Sequence, residues 1–174
     1  MSNPFLFMKL TVSGKPIAGE SSERHFEKQI VLDSLKWNTS ASHEPVLDKK
    51  DTKKVKTTNK PTRLTVTKAF DRSSTNLCVY VAKRQSFDEA VITMVKSMSW
   101  DAAPRKVIEM TLTRGYVESV SMTASESESA VGVEEEVTLS FETMEIGYHR
   151  DPPEGVRGEM PPTTFELPVP SVDD

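Results

Sequence analysis

The sequence predicts a mainly β protein: an antiparallel β-barrel or sandwich of about seven strands with one short α-helix. Three observations carry this. Apolar residues recur at every second position over several stretches, β-branched residues are frequent within them, and the connections are too short for parallel crossovers. With 174 residues, the chain is sized for one domain that buries about two thirds of its unfolded surface.

The first strand is read over residues 5–12. A second alternating stretch holds Ile30 and Leu32, then slips in phase to Leu35 and Trp37, so that Lys36 and Asn38 project from the side opposite the core. Residues 62–68 form the next strand, with Leu64 and Val66 in phase. The spacing then changes: Ser73, Ser74 and Thr75 are candidate N-caps, Leu77, Cys78, Val81 and Ala82 fall at helical intervals, and Lys83 and Arg84 suit a helix end. This predicts one short helix over 73–85, with Cys78 as a small buried hydrophobe.

Strands follow at 87–98, 105–113 and 116–123. In 105–113, Ile108, Met110 and Leu112 face one way and Val107, Glu109 and Thr111 the other. Gly115 is read as a tight reversal, and residues 99–104 as the turn of another antiparallel pair. The last strand, 136–147, starts with Val137, Leu139 and Phe141 in phase, then slips to Met144 and Ile146, which predicts a β-bulge near Glu142 and Thr143.

Two regions lack such periodicity. Residues 40–60 are polar and lysine-rich, a long loop within a domain spanning 1–150; residues 151–174 read as a Pro-rich extended tail. The net charge of -4 hides a split between residues 1–70 (+6) and 71–174 (-10). No aromatic residue interleaves the lysines of the loop, and the acidic remainder would repel phosphate, so the loop reads as solvated or as meeting an acidic neighbour, not a nucleic acid.

The sequence offers nothing to build an active site on. His25, His43 and His149 are scattered without metal-ligand spacing, and the chain has no phosphate-cradling glycine motif, nucleophile elbow or CxxC. Glu126 and Glu128, and Glu134 with Glu135 and Glu136, follow no calcium-loop pattern and read as solvated. Cys78 is the single cysteine, which excludes an intrachain disulfide and suits folding in a reducing compartment. The short apolar stretch around Phe5 to Met8 is too brief for a signal peptide or a membrane span. No catalytic residue, metal site or cofactor is assigned.

The run Leu64, Thr65, Val66, Thr67, Lys68, then Asp71, Arg72, Ser73, Ser74, Thr75, Asn76 and Leu77, resembles the strand, turn and helix start of the Hcp family, the tube subunits of type VI secretion systems. "VESVSM" (residues 117–122) and "EEVTLSFETMEIGY" (135–148) follow the same family's order, as do "LTVSGKPIAGES" (10–21) and "HFEKQIVLDSLKWNTS" (25–40). Departures are the lysine-rich loop in place of an often glycine-rich one, one extra residue near Asp33 and Ser34, and the Pro-rich tail.

The resemblance implies a non-enzymatic β-barrel subunit that forms homohexameric rings. These stack head to tail into a hollow tube, which a contractile sheath drives outward behind a spike and which can carry effectors in its lumen. Spike and baseplate proteins are then partners, with assembly in the cytoplasm and release outside the cell without a cleaved signal peptide. Contractile phage tail tubes share the architecture and are the alternative; a small-molecule-binding β-barrel is a remote one. Within this reading Lys49, Lys50, Lys53, Lys54 and Lys56 are the expected contacts to an adjacent subunit or ring, and Lys36 and Asn38 the expected lumen-facing residues.

Overall fold

The computed structural model of the chain describes residues 5–39, 41–47, 53–59, 63–97, 104–149 and 163–167. Along the chain run β1 (Leu6–Val12), β2 (Lys15–Pro16), β3 (Ile30–Val31), β4 (Ser34–Trp37), β5 (Ala41–Leu47), β6 (Lys53–Asn59), β7 (Arg63–Ala69), α1 (Ser74–Lys83), β8 (Ser86–Ser97), β9 (Arg105–Glu126), β10 (Val131–Tyr148) and β11 (Thr163–Leu167). One sheet has the order β2-β1-β8-β9-β10-β7-β4, with β3 added to β1 and β11 to β10. Every pairing is antiparallel, as the short connections require.

The phase slip between Leu32 and Leu35 is where the chain changes neighbours. β3 pairs with β1 and β4 with β7, strands far apart in the sheet order. Leu32 N–H donates to the Leu6 carbonyl (3.0 Å), and the next residue, Asp33, donates to the Thr67 carbonyl (2.8 Å). Residues 30–37 therefore bond to both sides of the sheet and curl it in the manner of a barrel. The core lies within that curl: Met8 and Leu10 of β1, Ile30, Leu64 and Val66 of β7, Ile92, Leu112, Val137 and Leu139 are fully buried.

Gly115 is not a reversal. β9 runs through it without interruption, and the strand pairs with β10 on both sides of it. Its missing side chain serves a close approach: a Cβ there would lie 1.9 Å from the Ser140 carbonyl oxygen and 2.6 Å from Cζ of Phe87. Beside it, Arg114 holds a left-handed φ of 46°, so the glycine marks a local distortion within one long strand.

The predicted bulge is also displaced. The register of β9 with β10 shifts between Thr138 and Leu139, which face Ser119 and Val117 and leave Glu118 as the extra residue on β9. Glu118 uses that position to meet Arg63 at 2.8 Å. The buried phase of β10 slips between Leu139 and Met144 where its outer neighbour changes from β7 (facing Glu134 to Ser140) to β11 (facing Met144 to Tyr148).

The helix forms as predicted, from Ser74 to Lys83 after the N-cap Ser73, and ends at Arg84 in the left-handed conformation (φ 51°). Leu77 is buried, and Tyr80 and Val81 pack against the core. Cys78, read as buried, is exposed. The stripe runs through Ser74, Leu77 and Val81, and a residue one step past Leu77 is rotated about 100° away from it.

Residues 40–60, read as a loop, contain an antiparallel hairpin: β5 and β6 pair from Ala41↔Asn59 to Leu47↔Lys53 as a separate two-stranded sheet. Such a ribbon needs backbone partners, not large apolar side chains, which is why periodicity missed it. The tail likewise contributes β11, a Thr- and Phe-bearing stretch whose flanking residues are Pro162 and Pro168.

Candidate assembly surfaces

Lys36 lies on β4 and is exposed, as is Asn38 just after it, while Leu35 and Trp37 pack against the core. The alternation read from the sequence is thus the alternation of the strand. Lys53, Lys54 and Lys56 fall on β6; Lys49 and Lys50 lie outside the described residues. His25, His43 and His149 sit in a turn, on β5 and after β10 respectively, and among the described residues no three His, Cys, Asp or Glu side chains converge as a metal site would require.

The site that sequence reasoning missed is internal. Lys68 and Glu135 are both fully buried and form an ion pair of 2.7 Å. Lys68 Nζ also donates to Ser74 Oγ (2.9 Å) and to the Ala69 carbonyl (2.9 Å), and meets Asp71 Oδ1 at 3.0 Å. Ser74 Oγ donates to Glu135 Oε2 (2.7 Å) and accepts from the Asp71 N–H (2.9 Å). One lysine therefore ties β7, β10 and the first turn of α1 together, with its three protons directed at oxygen. Breaking such a pair strands a buried charge.

The signal was present in the strand phase. Lys68 follows Leu64 and Val66 at the same two-residue interval, and Glu135 precedes Val137 and Leu139, so both charges occupy core-facing positions. Lys68 and Glu135 also face each other in the β7–β10 register.

A cleft of about 380 Å³ opens above Gly115, lined by Asp88, Arg114, Tyr116 and Glu142 among others. Arg114 and Glu142 bridge across it at 2.9 Å. It is a charged, open depression on the sheet, whereas a small-molecule carrier needs an enclosed and largely apolar cavity. No helix among the described residues is long and apolar enough to cross a membrane.

Comparison with known proteins agrees with the topology. Among solved structures, Hcp1 from Salmonella typhimurium is 25% identical with a TM-score of 0.60, the match covering 84% of this chain and 88% of that one. Hcp2 from Salmonella typhimurium is 20% identical with a TM-score of 0.63, covering 98% of this chain and 99% of that one. A type VI secretion system effector from Yersinia pestis is 17% identical with a TM-score of 0.67, covering 94% of this chain and 99% of that one. The last two likenesses speak to the fold alone. No curated protein sequence matches the chain. Residues 7–148 match the family described as "Type VI secretion system effector, Hcp". That match spans β1 to the end of β10, so the chain belongs to the Hcp family of type VI secretion systems.

Proposed function

We propose that the chain is the inner-tube subunit of a type VI secretion system, a structural protein whose function is its own assembly. Homohexameric rings stack head to tail into a hollow tube; a sheath contracts around it and expels it behind a spike, with effectors held in the lumen. Residues 1–150 are the tube domain and residues 151–174 an appended tail, part of which returns to β10 as β11. Lys36 and Asn38 line the lumen.

The observation that carries this reading is the family match over residues 7–148. The curled antiparallel sheet, joined through residues 30–37, supports it physically, because a subunit that must transmit an axial thrust needs a body that does not shear. The tube assembles in the cytoplasm with baseplate components and leaves the cell on firing.

The test is secretion. In a host with an intact sheath, the chain appears in the medium of growing cells, and deleting the sheath gene abolishes that appearance while leaving the intracellular level unchanged. Equal release with and without the sheath would refute the reading.

A further inference from the structure

Among the described residues, Lys68 and Glu135 are the two charged side chains wholly removed from solvent. An amine and a carboxyl group that meet in water do not condense, because each is held in its charged form by hydration. Buried, the same two groups have lost that hydration, and the uncharged amide becomes the less costly occupant of the site. A buried lysine amine is also a nucleophile once it gives up a proton, and here it touches its carboxyl partner with water excluded, the arrangement that replaces concentration by proximity.

The hydrogen bonds around the pair place every proton that a condensation needs. Lys68 Nζ donates to Glu135 Oε2 (2.7 Å) and to Ser74 Oγ (2.9 Å), and Ser74 Oγ in turn donates to the same Oε2 (2.7 Å). The remaining proton of Nζ has Asp71 Oδ1 at 3.0 Å and the Ala69 carbonyl at 2.9 Å. Glu135 Oε1 is buried and has no hydrogen-bond partner. Oε2 is therefore the oxygen supplied with protons by two routes, and Oε1 the one that receives none. A carboxylate oxygen left so is costly, whereas an uncharged amide oxygen in the same place costs less.

We propose that Lys68 and Glu135 condense into an intramolecular isopeptide bond between Nζ and Cδ, which ties β7 covalently to β10. One proton passes directly from Nζ to Oε2. A second follows through Ser74, whose hydroxyl gives its proton to Oε2 and takes one from Nζ. The lone pair freed on Nζ forms the N–Cδ bond, the Cδ–Oε2 bond breaks, and Oε2 leaves with both protons as water. The third proton stays on the amide nitrogen, and Oε1 becomes the amide oxygen. No oxidant or cofactor is needed, and no net charge is created or lost. Asp71, held by the Ser73 N–H at 2.8 Å, faces the nitrogen while it carries positive charge in the tetrahedral intermediate. Lys68 and Glu135 lie 67 residues apart, so the bond constrains the unfolded chain as a disulfide does, in a chain whose single cysteine cannot form one with itself. Both groups start as an ion pair, so condensation follows folding: freshly folded chain carries the pair and incubated chain the bond. It forms within one chain and does not depend on ring assembly.

Mass spectrometry of the full-length chain tests it, on freshly refolded protein and on the same protein held for several days at growth temperature. The expected result is a species lighter by one water, its fraction rising with time. Trypsin fails to cut after Lys68 in that species and releases a branched peptide in which Lys68 is joined to Glu135. The double variant Lys68→Met with Glu135→Leu loses no water, and Ser74→Ala condenses about a hundredfold more slowly. A wild-type chain that keeps its full mass throughout overturns the proposal, as does a lost water with no branched peptide. Condensation of Ser74→Ala at the wild-type rate overturns the proton relay. The wild-type mass and the branched peptide decide the matter even where Ser74→Ala fails to fold.

Discussion

Lys68 and Glu135 face each other across the β7–β10 ladder, 2.7 Å apart and wholly removed from water, on the side of the sheet otherwise filled by Leu64, Val66, Val137 and Leu139. The pair sits beneath the start of α1, and Ser74 shares both partners. Its desolvation cost works against its Coulombic gain, so its main role is to fix where the helix docks.

Glu135→Leu therefore destabilises the fold by about 3 kcal/mol, since it leaves Lys68 with Asp71 as its only acidic partner. Lys68→Met combined with Glu135→Leu recovers at least half of that loss. Guanidinium unfolding midpoints, compared at one fixed protein concentration, check both. A double variant as unstable as the single one would show that the pair adds net stability of its own.

At Gly115 the cost of a side chain comes from a close approach and not from a turn's backbone conformation. Gly115→Ala places a Cβ 1.9 Å from a backbone oxygen of the neighbouring strand and costs about 3 kcal/mol. Phe87→Leu does not rescue it, because the nearest obstacle is the Ser140 carbonyl and not the ring. Gly132→Ala, whose Cβ would meet nothing nearer than Ser125 Oγ at 4.0 Å, stays within about 0.5 kcal/mol of wild type. Thermal melts of the three variants decide the matter.

Cys78 points away from the core on α1, so the folded chain reacts with a thiol reagent such as DTNB at one equivalent without denaturant. Cys78→Ser changes stability by less than about 0.5 kcal/mol. A thiol that titrates only in guanidinium would contradict the helix orientation described above.

Much of this arrangement was legible in the sequence, and the misses share a cause. The strands over 5–12, 62–68 and 105–113 and the helix after Ser73 follow from periodicity, which reports burial on one face. Lys68 and Glu135 obey that same periodicity, but a carboxylate among carboxylates reads as solvated by residue type, and that hides the core-facing position of Glu135. Gly115 was read as punctuation because a lone glycine gives the same signal whether the chain turns or another strand presses close. The β5–β6 ribbon was missed because it is held by its backbone ladder and carries no apolar alternation for a pattern to reveal. The acidic stretch from Glu126 to Glu136 reads as solvated by composition, whereas the structure ends β9 at Glu126 and starts β10 at Val131 within it, the two paired, and register is set by the partner strand, which no single segment encodes.

The lumen assignment has its own test. With Lys36→Cys in a Cys78→Ala background, the dispersed chain reacts with both a small maleimide and a large polyethylene glycol maleimide. Assembled tubes react with the small reagent and exclude the large one, except at tube ends. Equal labelling by both reagents in assembled tubes would place Lys36 on the outside.

The central claim is that this chain forms six-fold rings, and class averages from negative-stain electron microscopy of the purified full-length protein test it most directly. The account predicts hollow rings with six-fold rotational symmetry, isolated or in short stacks. Particles of single-chain size at every concentration, or rings of another symmetry, would contradict it.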